Sequence, residues 1–300
     1  MKALELAGEL SREIRGRVCA LEPLAKHTTL RVGGPADIFA EPADCHEVRA
    51  CLDFADRKGL PAYILGNGSN ILVTDAGVRG VVVKMTSLRK LEIEGELVRA
   101  GAGVSLPQLV ALTVKNSLAG LEYLAGIPAS LGGAVAMNAG TPEKSLGDLV
   151  HAVWVLKGEE INVLRKGELD FGYRHSRVLQ DKLVVLGAEL RLGSGNRAEL
   201  EQKVANRLAR RRQTQPLEYP NAGSIFKNPP GDFAGRLIEL IGAKGWRCGG
   251  AEVAVKHANF IVNRGGASAR EILFLIERIR EAVWKQSGIL LELEIEVWGD

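Results

Sequence analysis

The sequence predicts an α+β fold in two or three domains, and three features carry that expectation. Short apolar, β-branched runs (GVVVK, ELVRAG, HAVWVL, EINVL and KLVVLGAEL) recur between residues 80 and 190 with one helical stretch, LPQLVALTVKNS, among them, which is not regular βαβ alternation. A composition of 46% hydrophobic and 25% charged residues over 300 positions is that of a globular chain able to bury a sizeable core. At about 150 residues per domain this length gives roughly two domains, or three small ones. Finally, the Gly, Ser and Asn of residues 193–196 precede a strongly charged helical stretch, AELEQKVANRLARRR, and mark a boundary.

The remaining elements follow from periodicity. The N-terminus, MKALELAGELSREIRGR, reads as an amphipathic helix and lacks the apolar core and cleavage site of a signal peptide. The loop HTTLRVGGPAD comes next, then a strand near Ile38–Ala40, a helix over Asp44–Lys58 and the strand AYIL. Past the charged helix lie a loop rich in Gly, Pro and Asn, a helix around Phe233–Ile241, a strand near Phe260 and a helix over Ala269–Lys285. The chain closes on LLELEIEVW, whose alternation suits a half-buried strand and places Glu292, Glu294 and Glu296 on one face. That face is either solvated or offers one carboxyl to a site.

Several function classes are disfavoured. A net charge of +3 is too small for a dedicated nucleic-acid binder but suits an anionic small substrate. Cys19, Cys45, Cys51 and Cys248 have no CxxC spacing, so neither a metal site nor a disulfide framework is expected, and reduced thiols in a cytoplasm are. The longest uncharged stretch, Tyr123–Pro142, is long enough to span a bilayer but holds four glycines and two prolines, and reads as loop and turn.

Four segments are candidates for chemistry. GNGSN, Gly66–Asn70, is either a glycine turn between two strands or a cradle whose consecutive amides bind an anion. AGIPASLGGAVAMNAG, Ala125–Gly140, is either a tight helix–strand junction or a surface on which an extended cofactor lies flat. Neither matches GxGxxG opening a helix, nor is there a GxxxxGK[ST] loop. FGYRHSRV sets Arg174 beside Tyr173, His175 and Ser176; its planar fork suits a carboxylate, and a nearby Arg174 lowers the value of His175 as a base. EYPNAGSIFKNPPGDFAG, Glu218–Gly235, gathers Ser224, Lys227 and Asn228 in a rigid polar loop; without a GxSxG elbow, Ser224 does not read as a hydrolase nucleophile. Arg210–Arg212 end a helix, either as dipole-compensating cations or as a diphosphate clamp.

Taken together, HTTLRVGGPA, LGNGSNILV, GLEYLAGIPASLGGAVAMNAG, YRHS, GSIFKNP and LELEIEVWG, in that order, closely resemble the UDP-N-acetylenolpyruvoylglucosamine reductase (UDP-N-acetylmuramate dehydrogenase) family, in its shorter type without a substrate-clamping tyrosine loop. The resemblance implies a two-subdomain FAD-binding module of non-Rossmann, vanillyl-alcohol-oxidase-like fold plus a smaller α+β substrate domain: subdomains at 1–75 and 76–195, and the substrate domain at 196–300. It implies non-covalent FAD, NADPH as reductant, and reduction of an enolpyruvyl ether to UDP-N-acetylmuramate for peptidoglycan, by a cytoplasmic monomer with no membrane or nucleic-acid partner and no metal.

Carried over, the family's active-site arginine falls on Arg174, its proton-donating serine on Ser224 and its glutamate on Glu294. Flavin contacts fall on Thr29, Arg31, Val32 and Gly33, on Gly66, Asn67, Gly68, Ser69 and Asn70, and on Gly126, Ile127, Pro128, Ala129, Gly132, Gly133, Ala134 and Asn138. Substrate contacts fall on Tyr173, Arg212, Lys227, Asn228 and Asn259. Hydride is then expected on the methylene carbon from the flavin N5, and a proton on the neighbouring carbon from Ser224. Two rival readings are an oxidase of the same flavin-binding architecture and a non-catalytic nucleotide or nucleic-acid binder using Arg210–Arg212, whose lack of interleaved aromatics counts against it.

Overall fold

The computed structural model describes residues 2–141, 144–158 and 160–299; Pro142, the end of the uncharged stretch, lies outside them. The chain forms two compact units. One comprises Met1–Ala20, Ile38–Asn67 and Gly80–Arg210; the other comprises Leu21–Asp37, Gly68–Arg79 and Arg211–Asp300. The chain passes between them inside the strands Arg17–Pro23, Pro35–Glu41 and Val78–Lys84, inside the Gly66–Asn70 loop, and inside the helix Arg197–Thr214. Crossings of that kind have no linker composition, so compactness cuts across the linear segments 1–75, 76–195 and 196–300, which divide the chain by proposed role.

The first unit is built on an antiparallel sheet in the order Glu160–Arg165, Val150–Lys157, Val184–Arg191, Leu97–Gly101, Leu91–Glu94. Val153, Val155, Ala188 and Val98 are buried in it. The helix Cys45–Arg57 starts where the Asp44 carboxylate accepts the Glu47 amide. Val48, Cys51, Phe54 and Ala55, three to four residues apart, form its buried face. Ser105 caps the helix Leu106–Lys115 in the same way. Each fully buried Leu or Phe contributes about 1.5–3 kcal/mol, and the unit's core holds Phe54, Leu106, Leu109 and Leu121 among many others.

The second unit is organised by the helix Ala269–Ser287. Its start is a capping box between Ser268 and Glu271, and its end is Gly288 at φ +68°. Ile272, Leu275, Ile276, Ile279 and Val283 form its buried stripe. A three-stranded sheet (Arg247–Cys248, Ala251–Val253, Ile261–Asn263) and a parallel pair, Ile71–Val73 with Glu296–Trp298, complete this core.

Three sequence expectations need correction. The closing strand covers only Glu296–Trp298, because Glu292 and Glu294 pair instead with the loop at residues 225–227. The glycine-rich Ala125–Gly140 segment contains a helix, Leu131–Ala136, which glycine's poor propensity hides. A strand at Arg17–Pro23 carries no clear alternation and is not legible beforehand. Among the described residues no helix is long and apolar enough to cross a membrane.

Candidate active site

In the first unit, Arg174 stands at the tip of a tight turn. The amide of Gly172 donates to the His175 carbonyl at 3.1 Å and the amide of His175 donates back to Gly172 at 3.2 Å, leaving Tyr173 and Arg174 outside the pair. Arg174 has φ +52°, a conformation that costs a non-glycine residue and persists only when its surroundings impose it. Its guanidinium carbon lies 5.1 Å from the Tyr173 ring centroid. His175 turns to the Asp170 carboxylate, 3.3 Å away.

The turn is tied to the end of the glycine-rich segment. Asn138 Nδ2 donates to the Gly172 carbonyl at 2.8 Å, and Asn138 Oδ1 accepts the Gly147 amide at 2.9 Å. Ser176 Oγ donates to the Ala136 carbonyl at 2.6 Å while accepting the Leu179 amide at 3.2 Å. Asn67 Nδ2 reaches the Pro128 carbonyl at 3.1 Å, so the GNGSN loop and the second glycine segment are also joined.

In the second unit, Ser224 follows Gly223, whose φ of +76° needs a residue without a Cβ. Asn221 shapes this turn: its Oδ1 accepts the Gly223 amide at 3.0 Å and its Nδ2 donates to Tyr219 at 2.8 Å. The Asn221 carbonyl accepts the Thr29 hydroxyl at 2.7 Å. After Ser224 the chain is gripped by Asn259, which is buried. Its carbonyl accepts the Ile225 amide at 2.9 Å, its Oδ1 the Phe226 amide at 3.0 Å, and its Nδ2 donates to the Phe226 carbonyl at 2.8 Å.

Glu294 runs alongside. Its amide donates to the Ile225 carbonyl at 2.8 Å, and its own carbonyl accepts Asn70 Nδ2 at 2.9 Å. Lys227 and Glu292 form an ion pair at 3.4 Å, with Glu292 largely exposed, and such pairs contribute little. Asn228 Oδ1 accepts the Ala234 amide at 3.1 Å, at the start of the helix Ala234–Leu240. Arg212 is exposed near the end of its helix, and its carbonyl accepts the Lys256 ammonium at 3.3 Å. The structure thus gathers Ser224, Glu294, Asn70, Thr29, Asn228 and Asn259 in one unit, and Arg174, Tyr173, Asn138 and the Gly126–Ala134 stretch in the other.

These segments fit a phosphate-bearing planar cofactor. Gly68 has φ +63°, and a Cβ there would overlap the His27 carbonyl, so the loop is pressed against His27 and Thr28. Among the described residues the amides of Gly68, Ser69 and Asn70 donate to no protein acceptor, which is the anion-binding concavity a diphosphate needs. Gly66 and Gly132 also permit close chain-to-chain approach: added Cβ atoms would overlap Ser130 Oγ and lie 2.9 Å from Ala102 Cβ. Gly33 does likewise, 2.7 Å from Val73 Cβ. Gly133 differs, being exposed with nothing nearer than Ser130 Oγ at 3.6 Å, so its face is open. Val32 and Ala134 turn their side chains into the cores and can offer only main chain, while Arg31, at φ +54°, is exposed.

Residues 36–160 match the model of an FAD binding domain, and residues 215–298 match that of the UDP-N-acetylenolpyruvoylglucosamine reductase C-terminal domain. The UDP-N-acetylenolpyruvoylglucosamine reductase of Moorella thermoacetica is 54% identical over 301 residues, covering 100% of this chain and 99% of its own. The chain belongs to the UDP-N-acetylenolpyruvoylglucosamine reductase family. A second member, from Desulforamulus reducens, is 44% identical over 98% of each chain. The crystal structure of UDP-N-acetylenolpyruvylglucosamine reductase from Thermus caldophilus matches with a TM-score of 0.83 at 38% identity, over 95% of this chain and 100% of that one. A glucose dehydrogenase, Phl p 4.0202, shares the fold alone, at 15% identity and a TM-score of 0.50 over 64% of this chain and 44% of its own.

This family member is therefore an FAD-dependent oxidoreductase. Its fold is α+β: a two-subdomain, non-Rossmann, vanillyl-alcohol-oxidase-like flavin module with a smaller α+β substrate domain. Sequence reasoning missed Asn221, whose signal was available: an asparagine two residues before a Gly-Ser pair is an Asx-turn former. It also left unread the bonds that the carboxamides of Asn70, Asn138 and Asn259 make to the carbonyls of Glu294, Gly172 and Phe226.

Proposed function

We propose that this reductase converts UDP-N-acetylglucosamine enolpyruvate to UDP-N-acetylmuramate for peptidoglycan, with Ser224 as proton donor, Arg174 against the substrate carboxylate and Glu294 as a hydrogen-bonding acid. Residues 1–75 and 76–195 are the flavin-binding subdomains and 196–300 the substrate domain, in a cytoplasmic monomer. The relatives' shared name supports the substrate. One observation carries the chemistry: Glu294 is hydrogen-bonded through its main chain to Ile225, the residue after Ser224, so a hydroxyl and a carboxyl come from adjacent segments.

Bound FAD, reduced by NADPH, supplies the hydride equivalent. As the substrate's methylene becomes a methyl group, the electron pair of the double bond moves onto the neighbouring carbon and spreads into its carboxylate. Arg174 offsets that charge with its planar fork. Ser224 Oγ–H protonates the carbon; a hydroxyl is a weak acid, but the carbanion-like centre is a far stronger base, so transfer is downhill. The Glu294 carboxyl, in its acid form, donates a hydrogen bond to the developing enolate. The serine oxygen regains its proton from solvent, and one NADPH and one proton are consumed per turnover. Tyr173, Arg212, Lys227 and Asn228 hold the sugar nucleotide.

The test is anaerobic: the enolpyruvyl sugar nucleotide is added to the NADPH-reduced yellow protein. Recovery of the flavin's visible band within the turnover time is expected. Reoxidation only by oxygen identifies an oxidase of the same architecture instead.

A further inference from the structure

Asn138 is 4% exposed and sits at φ +45°, a conformation that glycine accepts without strain and few other residues tolerate. If only the backbone mattered, glycine would serve, so the side chain has its own task. Both ends of its carboxamide are committed. Nδ2–H goes to the Gly172 carbonyl at 2.8 Å and Oδ1 to the Gly147 amide at 2.9 Å. Gly172 is the foot of the turn that carries Arg174, and its carbonyl also closes that turn by accepting the His175 amide. The other foot is held by Ser176 Oγ on the Ala136 carbonyl at 2.6 Å. Residues 136–138 therefore grip the turn on both sides of Arg174, which itself holds a strained φ of +52°.

We infer that Asn138 is a positioning residue for Arg174, fixing the guanidinium through Gly172 rather than contacting the cofactor. The inference rests on the reading that Arg174 meets the substrate carboxylate. The turn closes on its own Gly172–His175 pair, and the Asn138 carboxamide ties its Gly172 foot to the chain at residue 147 as well. A displacement of about 1 Å in a charge-stabilising group costs about 10²-fold in rate. Asn138 thereby links the glycine-rich segment to the charge that develops on the substrate.

The test is a double-mutant cycle on the FAD-loaded protein using Asn138→Gly, Arg174→Ala and the pair, each read in two single-turnover half-reactions. Asn138→Gly keeps the left-handed backbone and removes only the carboxamide. With Arg174 in place, this change should slow reoxidation by the enolpyruvyl sugar nucleotide at least about tenfold; added to Arg174→Ala, it should slow it less than about twofold further, since coupled residues are non-additive. Equal slowing in both backgrounds, or none, overturns the inference. So does a proportional loss of FAD affinity and of reduction by NADPH, which would make Asn138 a cofactor contact. If Arg174→Ala itself leaves reoxidation unchanged, the reading of Arg174 has failed. If it slows reoxidation while Asn138→Gly does not, positioning alone has failed. Should Asn138→Gly not fold, Asn138→Asp, which keeps an acceptor for the Gly147 amide and loses the donor to Gly172, is read in the same cycle against the same outcomes.

Discussion

The side-chain amide of Asn70 donates to the main-chain carbonyl of Glu294 at 2.9 Å, and the main-chain amide of Glu294 donates to Ile225 at 2.8 Å. The backbone of the proposed acid is therefore held on one side by the loop with the open amides and on the other by the loop of Ser224. Asn70→Ala should leave the cradle amides in place but remove this bond to the Glu294 carbonyl. Loss of about 1 kcal/mol of stability is expected in denaturant unfolding. Reoxidation by the sugar nucleotide should slow more than reduction by NADPH. Unchanged reoxidation would show that this bond does not set the position of Glu294.

Two glycines separate packing from ligand approach. Gly68→Ala places a Cβ against the His27 carbonyl and 2.9 Å from Thr28 Cα at φ +63°, so it should lower the melting temperature and weaken FAD together. Gly133→Ala meets nothing nearer than 3.6 Å and lies in the helix Leu131–Ala136, where alanine is preferred by about 0.5–1 kcal/mol. It should keep or raise the melting temperature and still weaken FAD, measured by fluorescence of released flavin. Wild-type flavin affinity in Gly133→Ala would place the cofactor elsewhere.

Acid sensitivity should concentrate at Glu47. Burial pushes its carboxyl up, but the amides of Ala43, Arg15 and Gly16 and the Arg15 guanidinium outweigh this and hold it at about 2, against an ordinary 4.5. A depressed carboxyl stabilises the fold above its unfolded value and loses that contribution as pH falls from 4.5 towards 2. The span corresponds to no more than about 3 kcal/mol. Denaturant titrations between pH 7 and pH 3 should show a steeper acid loss in the wild type than in Glu47→Gln, which is less stable at neutral pH. Identical acid slopes would remove Glu47 from this role.

Most helices were legible because their signals are local. Asp44, Ser105 and Ser268 each accept a main-chain amide three residues on, and the apolar spacing behind them survives intact. The Ser224 and Arg174 loops were legible because rigid, polar, glycine-bearing sequence has few uses in a core. The compact units were not, since the chain crosses between them within strands whose pattern continues unbroken. Nor were the carboxamide anchors: Asn70 to Glu294, Asn259 to Phe226 and Asn138 to Gly172 join residues far apart in sequence or across an irregular loop, and no period announces such a bond. The closing strand was overread because alternation continues through Glu292 and Glu294 while their partners are a loop.

The proton assigned to Ser224 Oγ can be read directly by separating the half-reactions in Ser224→Ala. Reduction of the bound flavin by NADPH should stay within about twofold of wild type, while anaerobic reoxidation by the enolpyruvyl sugar nucleotide should slow by at least about 10²-fold, the scale of losing a general acid. Comparable losses in both half-reactions, or reoxidation at the wild-type rate, would contradict Ser224 as the donor.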